Sequence, residues 1–225
     1  MKTLQNFFKI SVFILLLILV GIWAPWGDLD ISIAPLFGVE TSGAISGLQV
    51  YSLAGTIEVY VEDELKGMAS VDTPLFVAPI EPGKKKVSLK RPSAIQGSYT
   101  KVDEIIDFTE GIDVVITYGI GPSDFYSQGS IITTRKRTNE AYNLEVSTNV
   151  DSPEIFIDNI RQDFSGNRLV TLISLNKQSE IRIEKDGYEP LSFTLLPEDQ
   201  AERDIFQNYI IHVEARLMLQ PVDIR

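Results

Sequence analysis

Histidine 212 is the single imidazole in the chain, and an imidazole is the first group to consider for general-base chemistry near neutral pH. It sits in Tyr209 to Leu219 (YIIHVEARLML), where it alternates with Glu214 and Arg216 against Ile211, Val213, Ala215 and Leu217. That pattern makes it a solvent-facing strand residue. No Gly-x-Ser-x-Gly elbow accompanies it, so a serine hydrolase has no nucleophile in the expected setting. Glu62-Asp63-Glu64 and the pair Asp28 and Asp30 offer hard oxygen ligands, yet neither they nor Asp158 to Asp163 follow the spacing of a calcium-binding loop. Pro82-Gly83-Lys84-Lys85-Lys86 places lysines after a glycine but lacks the earlier glycine and the Ser/Thr of a phosphate-cradling loop. Cysteine is absent, which removes disulfides, thiolate metal sites, a thiol nucleophile and an acylated lipoprotein anchor. The expectation is a protein with no catalytic, cofactor-binding or metal residues.

Two further groups are candidates for binding. Lys84, Lys85, Lys86, Lys90 and Arg91 form a dense basic patch, with Arg135-Lys136-Arg137 as a second. They suit anionic wall polymer or lipid headgroups, or, more simply, a charged edge strand that resists aggregation. Tyr51, Tyr60, Phe76, Tyr99 and Tyr118 could line a sugar-binding face, although rings at strand spacing more often pack in cores or across strands. The formal charge of −11 over 225 residues argues against nucleic acid, whose phosphates need a basic surface.

The elements that carry these residues are strands. From Gly47 the apolar period is two: Leu48 and Val50, then Ile57, Val59 and Val61, each alternating with polar residues. Ala54-Gly55 turns the chain between them. Thr73-Pro74 opens Leu75 to Ala78, Pro82-Gly83 makes a turn, and Val87 and Leu89 alternate with lysines. Tyr99 to Phe108 and Ile112 to Tyr118 follow, split by Thr109-Glu110-Gly111. Strands this closely spaced predict a small antiparallel sandwich. The pattern then restarts. Leu144 and Val146 lie 96 positions after Leu48 and Val50, Ile155 and Ile157 lie 96 after Val59 and Val61, and Ile181 and Ile183 lie 94 after Val87 and Leu89. A near-constant offset over three strands indicates a tandem duplication.

Ahead of the strands, the stretch from Phe7 to Trp26 is broken only by Lys9 and Ser11, and twenty helical residues span about 30 Å. Lys2 and Lys9 precede its apolar run and Asp28 and Asp30 follow it, so the N-terminus is expected in the cytoplasm and the body outside. A cleaved signal peptide is the alternative; Ile22-Trp23-Ala24 before Pro25 is a poor cleavage site. The expected organisation is therefore a cytoplasmic stub and anchor over 1–27, a spacer over 28–46, β modules over 47–121 and 142–225, and a linker over 122–141.

Both copies resemble the PEGA domain, a small β module of exported bacterial and archaeal proteins. The first matches through Val59-Tyr60-Val61-Glu62, Gly67, Thr73-Pro74-Leu75 and Pro82-Gly83-Lys84 with Val87 and Leu89. The second matches through Asp151-Ser152-Pro153-Glu154, the strand Ile155-Phe156-Ile157, the turn Asp158-Asn159, and Gly187-Tyr188. Neither copy spells the tetrapeptide that gives the family its name, and another small sandwich, transthyretin-like or Ig-like, fits the same strand spacing. The resemblance implies a non-catalytic, membrane-anchored envelope protein serving adhesion, scaffolding or ligand presentation. Its partners would be the membrane and either envelope proteins or wall polysaccharide; carbohydrate or peptidoglycan binding is the alternative role, and a hydrolase using His212 the remote one.

Overall fold

The computed structural model describes residues 45–221. The expected anchor over 1–27 and nearly all of the spacer over 28–46 lie outside the described residues. Among the described residues, no helix is long and apolar enough to cross a membrane.

The body is all-β and sandwich-like. Its first half runs β1 (Ser46–Ser52), β2 (Ile57–Val61), β3 (Glu64–Ala69), β4 (Leu75–Ile80), β5 (Gly83–Lys90), β6 (Lys101–Phe108) and β7 (Val114–Gly119). After β8 (Gln128–Lys136) the second half runs β9 (Leu144–Thr148), β10 (Glu154–Ile157), β11 (Ile160–Arg161), β12 (Arg168–Thr171), β13 (Ser179–Glu184), β14 (Leu191–Leu195) and β15 (Tyr209–Arg216). A short helix, α1 (Gln200–Asp204), precedes β15. Each half repeats one set of pairings. The first small sheet has the order β3-β2-β5-β6 and the second β11-β10-β13-β14. The remaining strands form one seven-stranded sheet, β12-β9-β15-β8-β7-β1-β4.

Two features differ from the sequence expectation. The modules are not wholly antiparallel: β1 pairs β7 in parallel and β9 pairs β15 in parallel. Parallel neighbours need a long crossover, and in each half the other five strands supply it. The segment 122–141, expected as a linker, contains β8, the middle strand of the large sheet. Its adjacent isoleucines explain why no period of two marked it. Ile131, opposite Ile116 of β7, is buried in the first core. Ile132, opposite Val213 of β15, packs against the second. Successive strand residues point to opposite faces, so the two cores lie on opposite sides of the shared sheet.

The cores are built from the alternating residues. Leu48, Val50, Ile57, Val59, Val87 and Leu89 are essentially inaccessible in the first core, and Leu144, Val146, Ile155, Ile181 and Ile183 in the second. Tyr118 also lies in the first core, where burial pushes its phenol up to about 12.

The hairpin turns repeat as well. Glu62 and Asp63 between β2 and β3, and Asp158 and Asn159 between β10 and β11, all have positive φ, between 51 and 64 degrees. Two such residues make the two-residue turn whose twist matches the strands it joins. Glu62 and Asp158 each use the side chain to hold the backbone N–H of the neighbouring strand: Lys86 N–H donates to Glu62, and Glu180 N–H to Asp158 at 2.9 Å. Lys177 Nζ, 2.6 Å from Asp158, is the main reason that carboxyl titrates below its usual range. A depressed carboxyl stabilises the fold above its unfolded value of about 3.9 and loses that contribution as pH falls through the lower folded value. Asp158→Asn keeps the positive φ accessible and is expected to lower unfolding free energy by about 1 kcal/mol at pH 7. Urea melts at pH 7 and pH 3 should show the gap to wild type narrowing at the lower pH.

One buried group in β8 is unpaid for. Ser130 is 1% exposed, opposite Ala215 and Thr117, and among the described residues its Oγ has no hydrogen-bond partner. Desolvating a hydroxyl without a partner is unfavourable. Ser130→Ala is expected to stabilise by about 1 kcal/mol, read as a melting temperature a few degrees higher; a fall would mean the hydroxyl is satisfied in solution.

Candidate functional site

A groove of about 630 Å³ opens where the edge strand β6 stands over the polar part of the large sheet. Its wall is the end of β6 and the turn after it, Asp107 to Glu110, and its floor comes from β8, β15, β9 and β12. The floor follows from register. Thr133 lies opposite His212, His212 beside Glu145, and Glu145 opposite Val170. Thr133, His212 and Glu145 alternate with the core residues of the second half, so they face away from that core and toward the groove.

Glu145 is the centre of this surface. It is 8% exposed, and its Oε1 accepts from Arg168 Nε at 2.9 Å. The carboxylate in turn holds the Arg168 guanidinium above its ordinary value. His212 Nε2 lies 3.6 Å from the same oxygen. That separation is longer than a hydrogen bond, and the oxygen already receives Arg168, so the imidazole is not oriented as a base is in a catalytic dyad. Arg135 is turned to the loop after β8: it meets Glu140 at 2.6 Å and donates to the Tyr142 hydroxyl at 3.0 Å. Arg135, with the Thr138 backbone amide, holds the Glu140 carboxyl far below its usual range, so this loop is tied by a permanent anion. The groove thus offers fixed charges of both signs around a buried carboxylate, a surface for polar ligands.

The other sequence candidates are dispersed. Lys84, Lys86 and Lys90 project from the outer face of β5, which lies between β2 and β6. The patch is therefore on an interior strand, and protecting a sheet edge is not its role. Lys86 pairs with Asp63 at 2.7 Å, Lys85 meets Glu81 at 3.7 Å, and Lys90 lies 4.2 Å above the Tyr60 ring. Arg91 covers Tyr99 at 4.3 Å and donates to the Ile120 carbonyl. Glu64 pairs with Lys66, leaving Glu62-Asp63-Glu64 as a turn and its flank. Among the described residues, no three His, Cys, Asp or Glu side chains converge as a metal site; Asp28 and Asp30 lie outside them. Of the five aromatics, Tyr118 is core, Tyr60 and Tyr99 are covered by cations, and Tyr51 and Phe76 stand exposed.

Sequence reasoning missed Glu145 and Arg168. Glu145 carries a faint signal, a charge between Leu144 and Val146, but only the parallel pairing of β9 with β15 sets it beside His212. A comparison with protein-family models finds no match for this chain, and a search of the curated proteins finds none either.

Proposed function

We propose that the chain is a non-catalytic, single-pass protein of a bacterial or archaeal cell envelope, tethered by the apolar segment from Phe7 to Trp26, with its β body outside the membrane. In this reading two PEGA-like copies over 47–121 and 142–225 act in adhesion, scaffolding or ligand presentation. The observation that carries it is β8. A central strand hydrogen-bonded to both copies makes one stiff platform with outward surfaces of different chemistry, suited to holding partners at a fixed geometry rather than to turnover. The charges flanking the apolar segment support the orientation.

The test is protease treatment of intact cells or spheroplasts followed by membrane fractionation. Cleavage of the body by external protease, with an intact chain of about 25 kDa in untreated membranes, is the expected outcome. A protected body, or a soluble product shortened at the N-terminus, would refute the topology. The second reading, binding of carbohydrate or wall polymer, is favoured by the exposed rings of Tyr51 and Phe76. A hydrolase built on His212 has the occupied Glu145 oxygen against it, and His212→Ala should leave any activity unchanged.

A further inference from the structure

The duplication supplies an internal control for the exposed rings. Gln49 and Phe76 are directly opposite on β1 and β4; the corresponding pair in the second half is Glu145 and Val170 on β9 and β12. Tyr51 lies two residues beyond Gln49 on the same face, and its counterpart 96 residues on is Ser147. The second half builds the same pairing without either ring, so the fold does not require them. Yet Phe76 is 60% exposed and Tyr51 41% exposed, at a cost in apolar surface left in water.

These rings are held in place. The Phe76 ring lies against the bare backbone of Gly47, where an added Cβ would come within 2.7 Å of its Cε2 and 2.6 Å of Asp113 Oδ1. The Tyr51 hydroxyl donates to Gln49 Oε1 at 3.1 Å, and Gln49 Nε2 donates to Asp113 Oδ2 at 3.0 Å. The result is a shallow depression of about 310 Å³, lined by Gln49, Tyr51, Pro74, Leu75 and Phe76. Two rings sit on neighbouring strands beside a fixed row of phenol, amide and carboxylate.

We infer that this surface binds a neutral polysaccharide. The C–H bonds on the apolar face of a pyranose meet the negative face of an aromatic ring, while the amide and carboxylate take its hydroxyls. Charge chooses among polymers: the lining holds no cation and Asp113 adds a negative charge, so polyanions are disfavoured. The two rings are diagonal neighbours, roughly 7–8 Å apart at the backbone, which makes an open platform longer than one sugar ring and suits a chain crossing the sheet. The inference rests on the second, carbohydrate-binding reading above and names the ligand class and the site.

Affinity electrophoresis of the full chain, in a detergent without a sugar headgroup, tests it. Gels containing a neutral β-glucan, chitin oligosaccharides or galactomannan are compared with gels containing polyanionic alginate. Retardation by at least one neutral polymer is expected, with none by alginate. Phe76→Ala and Tyr51→Ala should each weaken it about tenfold, and Phe76→Trp should restore it, with unchanged thermal melts showing that the variants fold. No retardation by any neutral polymer, retardation by alginate alone, or retardation indifferent to both ring substitutions would overturn the inference. So would a wild-type dimer that Phe76→Ala dissociates, since a second copy would then cover the platform. None of these outcomes bears on export and anchoring, which the protease assay decides separately.

Discussion

Gly129→Ala is expected to be strongly destabilising. Gly129 is in β8, between Tyr118 of β7 and Arg216 of β15. A methyl group there would fall 2.3 Å from the Thr117 carbonyl oxygen and 2.5 Å from Tyr118 Cδ2. The carbonyl belongs to the neighbouring strand and cannot move without parting β7 from β8, and the Tyr118 ring is locked in the first core. Overpacking of a tight interior ordinarily costs about 1–3 kcal/mol; with backbone on one side and a buried ring on the other, about 3 kcal/mol or more is expected. For a body of this size that is a fall in melting temperature of roughly 10 °C. A variant that melts within about 2 °C of wild type would mean that β7 and β8 are not packed as described. Because β8 is the strand both copies share, the loss should appear as one transition, not as the melting of one half.

The second large effect tests that coupling from the cores. Leu48 and Leu144 hold corresponding positions on β1 and β9, each fully buried, one in each core. Truncation to alanine removes buried methyl groups and leaves a cavity, at about 2–5 kcal/mol. Leu48→Ala and Leu144→Ala should therefore cost similar amounts despite lying in different halves. Two beads on a flexible linker would melt separately, and each variant would shift only its own transition. A continuous sheet with a core on each face predicts a single calorimetric transition in wild type, moved as a whole by either substitution. Splitting into two transitions would show that β8 does not bind the halves together.

Much of this architecture is written locally. The period-two runs around Leu48, Val59, Val87, Leu144, Ile155 and Ile181 each bury one face and solvate the other, which is why strand positions and the constant offset between copies could be read without coordinates. Turn chemistry was equally local at Pro82-Gly83 and at Asp158-Asn159. Several elements escaped, β12 and β14 among them, and for three others the reason is plain. Strand β3 is exposed along most of its length and has no apolar alternation to display. The two-residue β11 is too short to carry a pattern. Strand β8 serves two cores, so its Ile131 and Ile132 stand side by side where a half-buried strand would alternate, while Pro122 ahead of it and the basic run Arg135-Lys136-Arg137 at its end resemble a connection.

The candidate sites divide in the same way. His212 facing out of its strand was legible, because one strand's alternation decides it. That Glu145 and Arg168 meet there depends on the pairing of β9 with β15 and β12, and pairing partners are set by burial of whole faces rather than by neighbours in the chain. Likewise the five candidate aromatics were equal as letters; packing buried Tyr118, cations covered Tyr60 and Tyr99, and only Tyr51 and Phe76 were left facing water. By itself, then, the order of residues determined that the body is β-structured and repeated, since those properties rest on short-range period and turn geometry. Tertiary structure alone decided that the repeats share one sheet and which polar and aromatic groups gather on it, because long-range register is a collective property of two faces seeking burial at once.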